Sequence, residues 1–189
     1  MTHASNLETD RTINHEARDL APSIRQAGAA DAAEIADLIH HAYGATSAET
    51  PLVDGEKASE DVIRRLQERG YFLVLDRQSG GLAASIYVEM RCRRGHFDLL
   101  SVAPDCQGHG LGRRLVAVAE ALCEAEGCTA MDLQVSDPRA ELPPWYRSLG
   151  YRDASAPDTG KPAPAVWSAA LGNTRPGDNQ VITMTKALD

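Results

Sequence analysis

Between Gln107 and Gly112 the chain reads Gln-Gly-His-Gly-Leu-Gly, just after a strand-like Leu99-Leu100-Ser101-Val102 and a break at Pro104. Glycine tolerates φ above zero and lets a backbone approach a ligand closely. A helix that opens on such a loop offers unpaired N–H groups and the positive end of its dipole, which together suit a phosphate. The chemistry suggested here is anion binding by main chain. Spacing excludes two common phosphate loops. Arg113 stands where a dinucleotide fingerprint has its third glycine. Leu111 to Arg113 does not supply the Gly-Lys-Ser/Thr of a P-loop.

The elements that must position this loop follow from periodicity. Residues 1–22 are polar and without period, and read as a mobile N-terminal arm; residues 23–189 read as one domain. Ser23–Ala27 is a strand candidate. Ala32, Ile35, Leu38, Ile39 and Ala42 recur at helical spacing, with Gly44 as the stop. His40 and His41 fall in the last turn, where the dipole favours them. Thr46–Glu56 is expected to be a loop, and Val62, Ile63 and Leu66 the inner face of a second helix ending at Gly70. Tyr71–Leu75, Leu82–Arg91 and His96–Val102 form an antiparallel meander, with Arg91, Arg93 and Arg94 at a solvated tip. Leu111, Leu115, Val118, Ala119 and Leu122 make the apolar stripe of the next helix. Cys128–Val135 is then a strand, which the helical crossover makes parallel to His96–Val102. A short helix begins at Pro143-Pro144, and Val181–Lys186 is the closing strand. The fold class is α/β: a mixed, mostly antiparallel sheet with a central parallel pair.

Composition narrows the partners. The 189 residues carry a net charge of −8, with 43% hydrophobic and 24% charged residues. That acidity argues against nucleic-acid binding and favours a cationic ligand. No apolar run approaches a membrane span, and the start lacks the pattern of a secretion signal, so a cytoplasmic protein is expected. Cys92, Cys106, Cys123 and Cys128 show neither a C-x-x-C pair nor histidines at ligand spacing. No metal is expected.

Three motifs occur in order: Gln107-x-x-Gly110-x-Gly112, Trp145-Tyr146-Arg147-Ser148-Leu149-Gly150-Tyr151, and Met184-Thr185-Lys186-Ala187-Leu188. Together they resemble the GNAT family of acetyl-CoA-dependent N-acetyltransferases. The likeness is densest from Phe97 to Tyr151, and the element order agrees over roughly 23–188. One position departs from the pattern. Many members carry asparagine seven places before the tyrosine, where this chain has Arg139.

The resemblance implies a fold in which the parallel strands splay and pantetheine inserts between them. It implies acetyl-CoA as cosubstrate and direct transfer to an amine. The cofactor-binding residues would be Leu100, Ser101 and Val102 on the strand, then Gln107, Gly108, His109, Gly110, Leu111, Gly112 and Arg113. An N–H near Leu99 or Leu100 would polarise the thioester carbonyl. Tyr146 would protonate the departing thiolate. The base would come from the start of the strand before the loop: His96, whose free pKa suits the task, with Asp98, Glu89 or a water chain as alternatives. Cys106 has no nucleophile's partners in the sequence.

The remaining long segment, residues 152–180, is an apolar island around Trp167 in a Pro- and Gly-rich stretch. It is expected to cover the acceptor pocket or to make the contact of a homodimer. The acceptor itself is expected to be a small-molecule amine. A protein or peptide acceptor, and a non-catalytic acyl-CoA sensor, are the competing expectations.

Overall fold

The computed structural model describes residues 23–43, 52–53, 56–136, 141–154 and 181–189. In chain order these form β1 (Ile24–Gln26), α1 (Ala32–Ala42), β2 (Leu52–Val53), β3 (Glu56–Lys57), α2 (Glu60–Gln67), β4 (Tyr71–Asp76), β5 (Leu82–Arg91) and β6 (Arg94–Val102). There follow α3 (Leu111–Ala125), β7 (Ala130–Ser136), α4 (Leu142–Ser148), β8 (Arg152–Asp153) and β9 (Val181–Ala187). Seven strands make one sheet in the order β1-β4-β5-β6-β7-β9-β8. Only β6 and β7 run parallel, and the other neighbours are antiparallel. This is the expected mixed sheet with a central parallel pair.

The sheet separates two apolar layers. On one face, Leu73, Leu75, Ile86, Val88, Phe97, Met131, Leu133 and Met184 pack against Leu115, Val116, Ala119 and Cys123 of α3. On the other, Phe72, Val74, Tyr87 and Leu99 pack against Ile35 and Ile39 of α1 and Val62, Ile63 and Leu66 of α2. Side chains of a strand alternate between faces, which is why neighbours such as Phe72 and Leu73 serve different cores. Ser59 caps α2 by accepting from the Val62 N–H at 3.4 Å.

Several sequence expectations change in detail. The expected loop at residues 46–56 contains β2 and reaches β3, which form a separate two-stranded hairpin. β6 begins at Arg94 rather than His96, because the turn before it is only Cys92-Arg93, both with positive φ (49° and 63°). Two such residues match the twist of the flanking strands. The tip arginines are not simply solvated. Arg91 pairs with the buried Glu89, and Arg94 donates to Asp132 (2.5 and 2.7 Å) and to Thr185 Oγ1 (3.0 Å). On α3 the buried stripe is Leu115, Ala119 and Cys123 with Val116, so Leu122 is left exposed. β7 starts at Ala130, since Cys128 completes the end of α3: its N–H donates to the Cys123 carbonyl across Gly127 (φ +79°). The N-terminal arm, Arg139, and Trp167 with the rest of residues 155–180 lie outside the described residues.

Gly95 shows how tightly the parallel pair is seated on α3. A Cβ there would lie 2.5 Å from Met131 Sδ and 2.6 Å from Cys123 Sγ. Gly95→Ala is expected to destabilise the fold by about 1–3 kcal/mol through overpacking, measured as a fall in denaturant midpoint with unchanged m-value.

Candidate active site

The site begins where β6 and β7 stop pairing. Their register runs only through Arg94↔Ala130, Gly95↔Met131 and His96↔Asp132. Beyond it β6 stays on β5 as far as Ala84↔Val102, while β7 stays on β9 as far as Ser136↔Val181. The two strands therefore part, and a gap opens between residues 97–102 and 133–136. A break in a parallel ladder leaves backbone groups facing it without strand partners from across the gap.

Alternation decides which groups those are. The Ala103 N–H bonds to the Ala83 carbonyl, and the register continues Ala84↔Val102 and Ser85↔Ser101. Residues 103 and 101 thus direct their backbone to β5, whereas Val102 and Leu100 direct theirs away from it, into the gap. Ser101 is turned away; its buried side chain donates to the Leu99 carbonyl at 3.0 Å. The Val102 carbonyl accepts from Gln107 Nε2 at 3.1 Å, and the Leu100 carbonyl from Tyr43 Oη at 3.5 Å.

A β-bulge sits at the same place. Between Ser85↔Ser101 and Tyr87↔Asp98, Ile86 alone faces both Leu99 and Leu100. Leu99 takes φ +52°, a conformation that costs a leucine about 1 kcal/mol or more. Its N–H is held by Asp98 Oδ1 at 2.7 Å. Of the two amides expected to meet a thioester carbonyl, Leu99 is thus engaged and Leu100 is the one directed to the gap.

Next to the gap the chain makes a 3₁₀ turn, Pro104–Cys106, and then enters α3. Gly108 and Gly110 both have φ +76°, with nothing within 4 Å of a hypothetical Cβ. Gly110 is the N-cap: its carbonyl accepts the first helical bond from Arg114, and no side chain caps the end. The amides that follow have no partner within the helix. Gly112 differs. It has ordinary φ, and a methyl there would meet Leu100 and Trp145 at 3.7 Å. His109 and Arg113 are exposed on the surface of this turn.

On the face of α1 and α2, alternation brings Glu89, His96, Asp98 and Asp132 together. His96 is opposite both Glu89 and Asp132, and Asp98 is opposite Tyr87. Glu89 is 3% exposed, paired with Arg91 and accepting from Tyr87 Oη at 3.2 Å. Burial acts with opposite sign on the other two, because it disfavours whichever form is charged. It pushes the His96 imidazole down to about 4, partly opposed by the nearby Asp132. It pushes the Asp98 carboxyl up to about 6, partly opposed by the Leu99 N–H. All three base candidates are brought to one face, but their order as bases is changed.

Tyr146 lies on the other face. Pro143 and Pro144 occupy the first turn of α4, where no helical N–H partner is lost. Tyr146 is 7% exposed, its ring 5.8 Å from Phe97, 4.8 Å from Trp145 and 6.1 Å from Tyr151. Phe97 is the first β6 residue past the last parallel pair, so this cluster borders the gap. Tyr151 is fixed in turn, donating to Glu120 of α3 at 2.7 Å; Lys186 of β9 donates to the same carboxylate at 2.6 Å. Among the described residues no group of three or more His, Cys, Asp or Glu is arranged to hold a metal ion, and no helix is long and apolar enough to cross a membrane. Cys106 is partly buried in the 3₁₀ turn.

A parted parallel pair beside an uncapped, glycine-opened helix is the arrangement the GNAT resemblance implies. Residues 41–161 match the family model described as an acetyltransferase (GNAT) domain, and the chain belongs to that family. It is 39% identical over 83 residues to blasticidin-S acetyltransferase of Streptomyces morookaense, a match covering 43% of this chain and 60% of the relative's own length. The fold is similar to the ribosomal-protein-S18-alanine N-acetyltransferase of Escherichia coli (TM-score 0.65, 21% identity, 88% of this chain and 94% of that one). It is equally similar to the PaiA N-acetyltransferase of Thermoplasma acidophilum in complex with coenzyme A (TM-score 0.65, 16% identity, 89% and 99%). Nourseothricin acetyltransferase aligns over 65% of this chain and 68% of its own (TM-score 0.50, 22% identity).

Proposed function

We propose that this protein is an N-acetyltransferase that transfers acetyl from acetyl-CoA directly to the primary amine of a small-molecule acceptor. The observation that carries the reading is the parting of β6 from β7 after His96↔Asp132, which leaves a strand-wide gap bordered by directed amides. Family membership supports the donor, and a relative named for blasticidin S supports the acceptor class.

The residues present fit coenzyme A. The N–H groups of residues 110–113 would hold the diphosphate at the mouth of α3, and Leu100 and Val102 would pair with the pantetheine amides. When bound, acetyl-CoA supplies an acetyl group already activated as a thioester. The Leu100 N–H is directed to receive the carbonyl oxygen as it gains charge. Asp98 takes the proton from the acceptor ammonium, whose pKa near 10 otherwise keeps it protonated. His96, one alternate position along the same face, passes protons toward solvent. Tyr146, on the opposite face, gives a proton to sulfur as the C–S bond breaks and the C–N bond forms. Base and acid on opposite sides of the gap match the opposite sides from which amine enters and thiol leaves.

Free thiol released from acetyl-CoA across a panel of amines, amino acids, aminoglycosides, nucleoside antibiotics and peptides tests the reading. No release with any acceptor, from protein that binds CoA, would sink it. Gly110→Ala is an internal control. A methyl at φ +76° strains the N-cap and turns its amides, so the KM for acetyl-CoA is expected to rise about ten-fold with acceptor KM little changed.

A further inference from the structure

Arg77 follows directly on β4 and is not part of the loop that carries the glycines. Its guanidinium nevertheless reaches that loop, binding Asp105 through two parallel bonds, Nη1 to Oδ2 at 2.5 Å and Nη2 to Oδ1 at 2.9 Å. The third donor, Nε, bonds to the Leu82 carbonyl at 3.0 Å. The Arg77 backbone closes its own turn, with its N–H on the Gly81 carbonyl and its carbonyl accepting from Gly80. The side chain is therefore anchored at both ends. A bidentate arginine–carboxylate pair fixes orientation as well as distance.

Asp105 sits in the 3₁₀ turn two residues before Gln107. That turn is tied to the sheet by the Ala103 N–H on the Ala83 carbonyl and by Gln107 Nε2 on Val102. The Arg77 pair adds a bond from the β4–β5 hairpin, 28 residues away in sequence. Asp105 also places a negative charge beside amides that must receive a polyanion. Arg77 holds its carboxyl below the usual range, so the charge is permanent at working pH, and the same guanidinium balances it.

We propose that Arg77 is a positioning residue for acetyl-CoA: it clasps the glycine loop to the β4–β5 hairpin and cancels the Asp105 charge that would repel the diphosphate. The proposal rests on the reading of the loop as the CoA diphosphate site. An exposed pair of this kind adds little to global stability, so its effect belongs to the ligand.

The test is calorimetric binding of CoA, with the melting temperature of the unliganded protein read alongside. Arg77→Met leaves Asp105 uncompensated and should weaken CoA binding about ten-fold, more at low salt than at high salt. Acceptor KM and kcat at saturating acetyl-CoA should stay within about two-fold. Asp105→Asn alone should cost no more than about two-fold, and the double variant R77M/D105N should recover to within about three-fold of the wild type. If Arg77→Met does not fold, Arg77→Lys keeps the charge without the bidentate geometry and should show an intermediate loss, about three-fold. Unchanged CoA affinity in Arg77→Met overturns the role of Arg77. So does an Asp105→Asn loss equal to that of Arg77→Met, or a double variant no better than the single one. Wild-type protein that takes up no CoA overturns the underlying reading of the loop instead.

Discussion

Tyr146→Phe is expected to lower kcat by about 100-fold or more while leaving the KM for acetyl-CoA within a few-fold, the pattern of a lost proton donor. Three features make the substitution clean. The ring is held by Phe97, Trp145 and Tyr151, so phenylalanine keeps the packing. α4 begins on Pro143-Pro144, which restricts its first turn independently of residue 146. Tyr151 is anchored separately on Glu120. Steady-state thiol release with Tyr146→Phe, set beside its melting temperature, checks the prediction. The loss should shrink when the leaving thiol is made a weaker base, since a better leaving group needs less protonation. An unchanged kcat would assign Tyr146 to packing alone.

Much of this architecture is legible in the chain because it depends on local signals. Glycines at 108 and 110, the Pro104 break and the apolar period after Leu111 mark a strand–loop–helix unit without further information. The crossover through α3 requires β6 and β7 to be parallel. What escapes a sequence reading is set by long-range geometry. Leu99 adopts φ +52° although leucine gives no hint of it; the bulge is fixed by register against Ile86 and by the Asp98 and Ser101 hydrogen bonds. Gly112 reads as a third turn glycine, yet its φ is ordinary and a methyl would fit beside it. Leu122 belongs to the apolar period but ends exposed, because the sheet meets α3 along Leu115, Ala119 and Cys123. Arg91 and Arg94 look like tip charges until the fold supplies Glu89 and Asp132.

The order of the bases is the sharpest case. In the chain, His96 has the better intrinsic pKa. In the fold, burial lowers imidazole to about 4 and raises the carboxyl of Asp98 to about 6, so the carboxylate becomes the stronger acceptor at neutral pH. The two groups therefore predict different pH profiles. If Asp98 takes the proton, kcat/KM rises with pH through about 6; if His96 does, the limb lies near 4. We expect the limb near 6, and its loss in Asp98→Asn together with a fall in kcat/KM of about 100-fold or more.

Stability should move the other way. Because the Asp98 pKa is higher in the fold than in the unfolded chain, the folded state holds that proton more tightly. The resulting stabilisation is complete below the ordinary carboxylate range and is lost as pH rises through about 6. At pH 7 the native protein thus carries an ionised carboxylate that folding disfavours. Asparagine removes that cost and still offers an oxygen to the Leu99 N–H. Asp98→Asn is expected to melt about 2 °C or more above the wild type at pH 7, with the difference closing toward pH 4. His96 has the opposite sign: its lowered pKa gives stability that is present above about 6.5 and lost as pH falls toward 4. The two slopes oppose each other over that window, so His96→Gln should expose the Asp98 slope that the wild-type curve conceals. A variant that is slower and more stable at once is the mark of a group kept ionised for its chemistry. An Asp98→Asn protein that melts lower at pH 7 and keeps its acid limb would return the base to another residue.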